Sequence, residues 1–277
     1  MSFTIETVLA SLELEETGPD RYTARHAEPD YPVVFGGQLM AQSIVAARKG
    51  VDDKTVKTLH IVFARPVSPS MPLEIEVDRM HAGRALASST VTLRQGGKVC
   101  SRAQVLLSAE EPDLIRHADT HPSMSKPEEA TPWPTDLGVW ELRTVDGVDI
   151  ADPEAVGPAD LDVWSRFAGA PSDPLIGQAL LAFATDMFLI GTAMRPHEGV
   201  GQSQAHVTLS TGVLSHTITF HEPVDAGEWL LLANHATYAG HGRSYGRADV
   251  FRTDGALVAS YVQDNMIRAR SGEPGKL

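Results

Sequence analysis

An internal repeat constrains the fold of this 277-residue chain more than any other feature of the sequence. Residues near 60–104 recur near 217–263, with a drift of two residues that falls in a loop, where a duplication tolerates it. The matched residues are Phe63 with Phe220, Pro66-Val67 with Pro223-Val224, Gly83-Arg84 with Gly242-Arg243, Gly96 with Gly255, Val99 with Val258, Ser101 with Ser260 and Gln104 with Gln263. The sequence therefore predicts two copies of one strand-rich domain in tandem.

Each copy combines one apolar helix with a series of strands. Residues 35–47 and 174–194 are small and apolar on all sides, which predicts two buried helices. Alternating apolar residues and glycine turns predict strands at 56–64, 73–81, 85–94 and 98–108, and again at 205–220, 229–238, 244–252 and 256–267. An antiparallel sheet curled around an apolar helix buries that helix completely. The predicted fold class is α+β: tandem hot-dog domains whose sheets pair edge to edge.

An acidic segment separates the two copies. Residues 110–162 are rich in Pro, Asp, Glu and Gly and carry most of the formal net charge of -13. We predict an N-terminal domain over residues 1–112, an acidic, Pro-rich linker over 113–136 and a C-terminal domain over 137–277.

Composition excludes several classes of protein. The chain has no basic stripe that would neutralise phosphates, so we expect no nucleic-acid partner. Its only cysteine, Cys100, allows no intrachain disulfide, and the N-terminus resembles no signal peptide, so we expect a cytoplasmic protein. The apolar run at 175–194 contains Gln178 and Asp186, which favours a core helix over a membrane span.

Two familiar catalytic patterns are incomplete. Gly242-Arg243-Ser244-Tyr245-Gly246 reads G-x-S-x-G, but strands rather than a helix follow it and no histidine occurs after His241, so a hairpin turn is favoured over a nucleophile elbow. The chain has eleven histidines, but none of them belongs to an H-E-x-x-H motif, and the single cysteine excludes a zinc motif with paired cysteines. We therefore predict no metal site.

Several stretches together resemble the type II acyl-CoA thioesterases, which have a double hot-dog fold. They are residues 34–42 (VFGGQLMAQ), 59–66 (LHIVFARP), 220–223 (FHEP), 228–231 (EWLL), 243–246 (RSYG) and 254–260 (DGALVAS). The resemblance covers nearly the whole chain except the linker. It implies hydrolysis of an acyl-CoA substrate to free acid and CoA without a cofactor, and association into a homo-oligomer through the sheets.

The family holds its attacking water with an Asp, a Thr or Ser, and a Gln. The resemblance places the aspartate at Asp186 and the glutamine at Gln263. It places the hydroxyl residue at Val213, because His216 occupies the family's histidine position three residues later. Valine cannot hydrogen-bond a water, so the chain departs from the family here.

Strand alternation suggests a replacement for the missing hydroxyl. Thr211, Val213, Ser215 and Thr217 would lie on one face of a regular strand. Ser215 is the nearest candidate and Thr211 the next.

Other residues are candidates for binding substrate, each beside a structural alternative. Gly36 and Gly37 could let a helix N-terminus approach the thioester oxygen, or could serve only tight packing. His60 and Arg65 end a strand and could meet the ligand or remain rim residues. Arg243 and Arg247 are candidates for holding the CoA phosphates.

Asp186 and Gln263 also have plain structural readings. Asp186 is the only charge between Asp173 and Arg195, so it needs backbone partners or a catalytic role, and burial would raise its pKa toward that of a general base. Gln263 could be an exposed strand residue. A non-catalytic acyl-CoA binding module is the alternative that Val213 leaves open, whereas enoyl-CoA hydration is disfavoured because Gly191 stands where a histidine is expected.

Overall fold

One antiparallel sheet dominates the computed structural model, which describes residues 4–27, 32–121, 123, 125–134 and 137–270. The helices are α1 (Ile5–Leu12), α2 (Gly36–Arg48), α3 (Pro174–Thr185) and α4 (Leu189–Met194). The strands of the first half are β1 (Leu14–Gly18), β2 (Arg21–Ala24), β3 (Thr55–Phe63), β4 (Leu73–Ala82), β5 (Leu86–Gln95) and β6 (Lys98–Ser108). Those of the second half are β7 (Thr131–Pro132), β8 (Trp140–Thr144), β9 (Asp160–Phe167), β10 (Leu209–Phe220), β11 (Leu230–Gly240), β12 (Arg243–Arg252) and β13 (Leu257–Ala269).

The strand order displays the duplication directly. It runs β1-β2-β4-β5-β6-β3-β10-β13-β12-β11-β9-β8-β7, so the two halves repeat one order outward from the centre. The halves meet where β3 pairs antiparallel with β10, with His60 opposite Thr217. Joining the two central edges removes two rows of unpaired backbone groups from solvent. The predicted α+β fold of tandem hot-dog domains, paired edge to edge, is confirmed.

The two long helices form the centre of the core. Every residue of α2 from Gly37 to Ala47 is buried, as are nine residues of α3. Small side chains let the helices approach closely: a Cβ on Gly37 would lie 2.2 Å from the Phe183 carbonyl oxygen. Apolar side chains of the sheet, such as Leu59 and Ile61, close around them. Burying each such side chain stabilises the fold by roughly 1.5–3 kcal/mol.

The second central helix is broken rather than continuous. α3 ends at Thr185, residues 186–188 are not helical, and α4 begins at Leu189. The prediction of one helix over 174–194 was therefore wrong, because Asp186 is the C-cap residue of α3 and lies outside both helical segments. By length and composition Pro174–Met194 could cross a membrane, but 78% of its most apolar window is buried inside this fold.

The outermost strands of the sheet, β1 and β7, were not predicted from the sequence. β1 is mostly exposed and carries Glu15 and Glu16, so it has none of the apolar alternation that marks a half-buried strand. β7 lies within the predicted linker and pairs with β8. Positions 122, 124, 135 and 136 of that linker, and the ends of the predicted domains at 1–3 and 271–277, lie outside the described residues.

Strand register corrects one match of the repeat. His60 lies opposite Gln104 in β6, and the symmetry-related Thr217 lies opposite Val262 in β13. Gln104 therefore corresponds to Val262 and not to Gln263. Because side chains alternate along a strand, this shift of one residue changes the face: Gln104 is exposed, whereas Gln263 is 1% exposed.

Candidate active site

The break after α3 places Asp186 against the first half of the molecule. Its side chain is buried and accepts a hydrogen bond from the backbone N–H of Gly37, in the first turn of α2. Gly36 is equally close, since a Cβ there would lie 2.6 Å from Asp186 Oδ2. A helix N-terminus carries partial positive charge from its unpaired N–H groups. The carboxyl group thus lies at the junction of the two halves.

Gln263 reaches the same carboxyl group from β13. Its Nε2 lies 3.3 Å from Asp186 Oδ1 and 3.1 Å from His216 Nδ1, and it donates to both. Its Oε1 is buried and accepts no hydrogen bond from any described residue. The structure therefore brings the predicted residues Asp186 and Gln263 together. The carbonyl oxygen of the Gln263 amide is still able to accept a hydrogen bond.

His216 holds this amide in place, a contact that sequence reasoning did not anticipate. The imidazole is fully buried, and burial lowers its pKa to about 3, with His60 a smaller influence. The neutral ring accepts from Gln263 at Nδ1, so Nε2 carries the proton and donates to Thr185 Oγ1 at 3.2 Å. The ring also stacks on Tyr261. The sequence carried one signal for this contact, because His216 lies three residues after Val213, where the family has a histidine.

Burial makes Asp186 a weak acid. Loss of solvation raises the pKa of its carboxyl group to about 8, although the Gly37 N–H and the Gln263 amide favour the ionised form. A carboxylate with a pKa near neutrality is suited to accept a proton from water during catalysis. The environment thus supports a base rather than a permanently charged structural group.

Within the described residues the site occurs only once, despite the duplication. Position by position, the other half carries apolar residues in place of the polar ones. These are Leu59 for His216, Val105 for Gln263 and, when the Gly-Gln pairs of the helices are aligned, Ala46 for Asp186. The scaffold is symmetric, but the polar side chains Asp186, His216 and Gln263 all come from the second half, while the first half contributes the Gly37 N–H of α2.

A β-bulge corrects the expected faces of β10. Its pairing with β13 shifts between Val213 and Ser215, so Leu214 is an extra residue and the alternation of faces changes there. Thr211 is buried on the inner face. Ser215 lies on the outer face, where its Oγ donates to Asp264 Oδ2 at 3.0 Å. The prediction that all four alternate residues share one face was therefore wrong.

Ser215→Ala is expected to leave the turnover number for acyl-CoA unchanged within about twofold, because the hydroxyl faces away from Asp186. The loss of an exposed hydrogen bond should change the free energy of unfolding by no more than about 0.5 kcal/mol. Steady-state kinetics and urea unfolding measure both quantities. A tenfold loss of turnover with unchanged stability would contradict this placement.

The remaining predicted binding residues lie away from the buried carboxyl group. His60 is on the outer face, where Nδ1 lies 2.8 Å from Thr217 Oγ1. Arg65 is exposed and donates to the Val99 carbonyl oxygen. Arg243 and Arg247 are exposed on the face of β12 opposite the core. Their contact with substrate stays a prediction.

The G-x-S-x-G pattern forms a hairpin, as predicted. β11 and β12 are joined by His241 and Gly242, both with positive φ, which is typical of a two-residue turn. Ser244 lies inside β12 and is buried. Among the described residues, no group of three or more His, Cys, Asp or Glu side chains could hold a metal ion.

Gly36→Ala and Gly37→Ala are expected to have different effects. A Cβ at Gly37 meets the backbone of Phe183, so this variant should lose about 3 kcal/mol of stability. The atoms nearest to a Cβ at Gly36 belong to the Asp186 carboxylate, which must move, so turnover should fall by about 10²-fold while the fold persists. Urea unfolding and thiol-release kinetics test the pair. Full turnover by Gly36→Ala would show that this carboxylate is not the reacting group.

The fold is a double hot-dog sheet with a buried acid and amide pair near the junction of its two halves. Models of the acyl-CoA thioesterase N-terminal domain and C-terminal domain match residues 26–108 and 118–267. The chain therefore belongs to the acyl-CoA thioesterase family and is a thioester hydrolase.

Individual relatives agree over nearly the full length. The chain is 26% identical to acyl-coenzyme A thioesterase 8 of Homo sapiens, covering 95% of this chain and 89% of that protein. It is 27% identical to acyl-CoA thioesterase 2 of Haemophilus influenzae, covering 97% and 99%. The solved structure of acyl-CoA thioesterase II TesB2 from Mycobacterium marinum is 26% identical, covers 96% of this chain and 100% of that one, and has a TM-score of 0.80.

Proposed function

We propose that the chain hydrolyses acyl-CoA thioesters by direct attack of a water held between Asp186 and Gln263. The observation that carries this proposal is the buried Asp186 carboxyl group, which has a raised pKa and an adjacent amide with an unused oxygen. A carboxylate and an amide oxygen are both acceptors, so together they bind both hydrogens of one water. The lone pairs of that water then face the substrate.

The reaction uses only these groups and the substrate. The water oxygen attacks the thioester carbon while the Asp186 carboxylate takes a proton, and the carbonyl oxygen becomes an oxyanion. The backbone N–H of Gly36, at the N-terminus of α2, stabilises that charge, because the Gly37 N–H is already bonded to Asp186. When the carbon–sulfur bond breaks, the thiolate of CoA takes the proton back from Asp186. The products are the free acid and CoA.

The test is thiol release from acyl-CoA substrates of increasing chain length, with binding measured in parallel by calorimetry. We expect stoichiometric appearance of free thiol and carboxylic acid. Binding of acyl-CoA without thiol release at any chain length would overturn the proposal and favour a non-catalytic acyl-CoA binding protein. That alternative derives from Val213, which cannot supply the family's hydroxyl group.

We also propose that the protein forms a homo-oligomer through the outer face of its sheet. Val62 and Leu106 are exposed there, at 47% and 38%. Exposed apolar side chains on a sheet are stabilised when a second copy covers them. Light scattering coupled to size exclusion should give a mass above that of one chain, and a monomer at micromolar concentration would exclude this proposal.

A cytoplasmic location is proposed on the chemistry of the cysteine. Cys100 is buried and free, so the described fold contains no disulfide that would benefit from an oxidising compartment. Cell fractionation with an antibody against the protein tests the location.

A further inference from the structure

Strand register identifies the residue that faces Val213 in the site. β10 and β13 are paired there, and Val213 lies directly opposite Asn265. Side chains opposite each other in an antiparallel pair have Cβ atoms about 5 Å apart. Asn265 is also two residues after Gln263, so the two side chains share one face, about 7 Å apart along the strand. The side-chain amide of Asn265 can therefore reach the space that the hydroxyl of a Thr or Ser at position 213 would occupy.

Asn265 is a buried polar side chain without full hydrogen bonding. It is 0% exposed, and its Nδ2 donates to Ser244 Oγ at 3.3 Å. Its Oδ1 accepts no hydrogen bond from any residue in the described parts of the chain. Burying an unpaired amide oxygen costs about 1–3 kcal/mol. A residue with that cost, on the face of the catalytic amide, is better explained by a ligand than by packing.

We propose that Asn265 is the third catalytic residue and replaces the hydroxyl that Val213 lacks. This inference rests on the proposed hydrolysis at Asp186. Asp186 and Gln263 Oε1 take the two hydrogens of the attacking water. The Asn265 amide turns by 180° about its Cβ–Cγ bond, so that Oδ1 accepts from the Ser244 hydroxyl and the freed Nδ2 donates to one lone pair of the water. The other lone pair is left directed at the thioester carbon. Ser244 fixes the amide plane from the neighbouring strand.

Neither hydroxyl on β10 fits this position as well. Thr211 pairs with Ile267, four residues from Gln263, which places it about 13 Å away along the sheet. Ser215 faces outward and is bonded to Asp264. Thr185 is near, but its hydroxyl already bonds the Ala182 carbonyl oxygen and His216. Asn265 alone among these combines the inner face, the register of Val213 and free hydrogen-bonding capacity.

Asn265→Leu, which keeps the number and branching of the side-chain heavy atoms and removes both polar atoms, should lower kcat about 10²-fold with KM nearly unchanged. The decisive variant is Val213→Thr in the Asn265→Leu background. It restores a hydroxyl directly opposite and should recover at least tenfold of the lost kcat. Asn265→Ala, with the same rescue by Val213→Thr, serves if leucine disturbs folding. Thermal unfolding of each variant is measured alongside.

The outcomes separate this inference from the proposed function. If wild type releases no thiol, the proposed hydrolysis fails and Asn265 has no reaction to serve. If wild type is active and Asn265→Leu keeps full kcat, only the role of Asn265 is overturned. A loss of kcat that follows lowered stability and is not rescued by Val213→Thr would assign a structural role and also overturn it. If Val213→Thr restores kcat in the Asn265→Leu background without restoring stability, the result supports a catalytic role for Asn265.

Discussion

Asp186→Asn is expected to lower kcat for acyl-CoA hydrolysis by about 10³-fold or more. An amide cannot accept the proton of the attacking water, and general-base catalysis contributes about 10²–10⁴-fold in enzymes. The substitution is close to isosteric and keeps the acceptor oxygen that faces the Gly37 N–H, so substrate binding should persist. Thiol release under saturating substrate measures the change in kcat. Calorimetry with intact acyl-CoA measures the affinity separately.

Asp264→Asn is the matched control for this experiment. Asp264 lies next to Gln263 on β13 but is exposed on the outer face, where it accepts a hydrogen bond from Ser215. The same chemical change there should leave kcat within about twofold of wild type. Equal losses in both variants would point to net charge or folding and not to a general base. Unchanged turnover in Asp186→Asn would exclude Asp186 as the base.

The fold could be predicted from the sequence where burial leaves a pattern. The apolar surfaces of α2 and α3, and the regular alternation of β6, require a sheet wrapped around helices, and the repeat requires it twice. β1 gave no such signal, because both of its faces meet solvent. Bulges also leave little trace: the extra Leu214 in β10 changes which face its neighbours occupy, and Gly212 two residues earlier is the one local signal of it.

Two members of the candidate site, Asp186 and Gln263, could be named from the sequence, but their contacts could not. Asp186 is conspicuous as a lone charge in an apolar segment, and resemblance added Gln263. The roles of His216 and Asn265 depend on cross-strand register, which brings together residues far apart in sequence and shifts by one at every bulge. The incorrect match of Gln104 with Gln263 has the same origin, since a one-residue error in register exchanges the inner and outer faces.

Asp186 should also destabilise the protein as the pH rises. The folded state raises the pKa of this carboxyl group from about 4 to about 8, so the folded protein binds this proton more strongly than the unfolded chain. The stabilisation from the bound proton is complete below pH 4 and is lost progressively as the pH rises to 8. Asp186→Asn has no such proton to lose, so its free energy of unfolding relative to that of wild type should increase as the pH rises from 4 to 8.

Urea unfolding of both proteins at pH 5 and pH 8 measures this difference. With about 1.4 kcal/mol per pKa unit, the free energy of unfolding of Asp186→Asn relative to wild type should increase by up to about 4 kcal/mol between the two conditions. His216 titrates in the opposite sense, because its folded pKa of about 3 lies below the unfolded value, but it is present in both proteins and cancels in the comparison. A difference that does not change with pH would show that Asp186 is ionised throughout. In that case its partners Gly37 and Gln263 would outweigh its burial, and the carboxylate would be a structural anion rather than a base tuned to accept a proton.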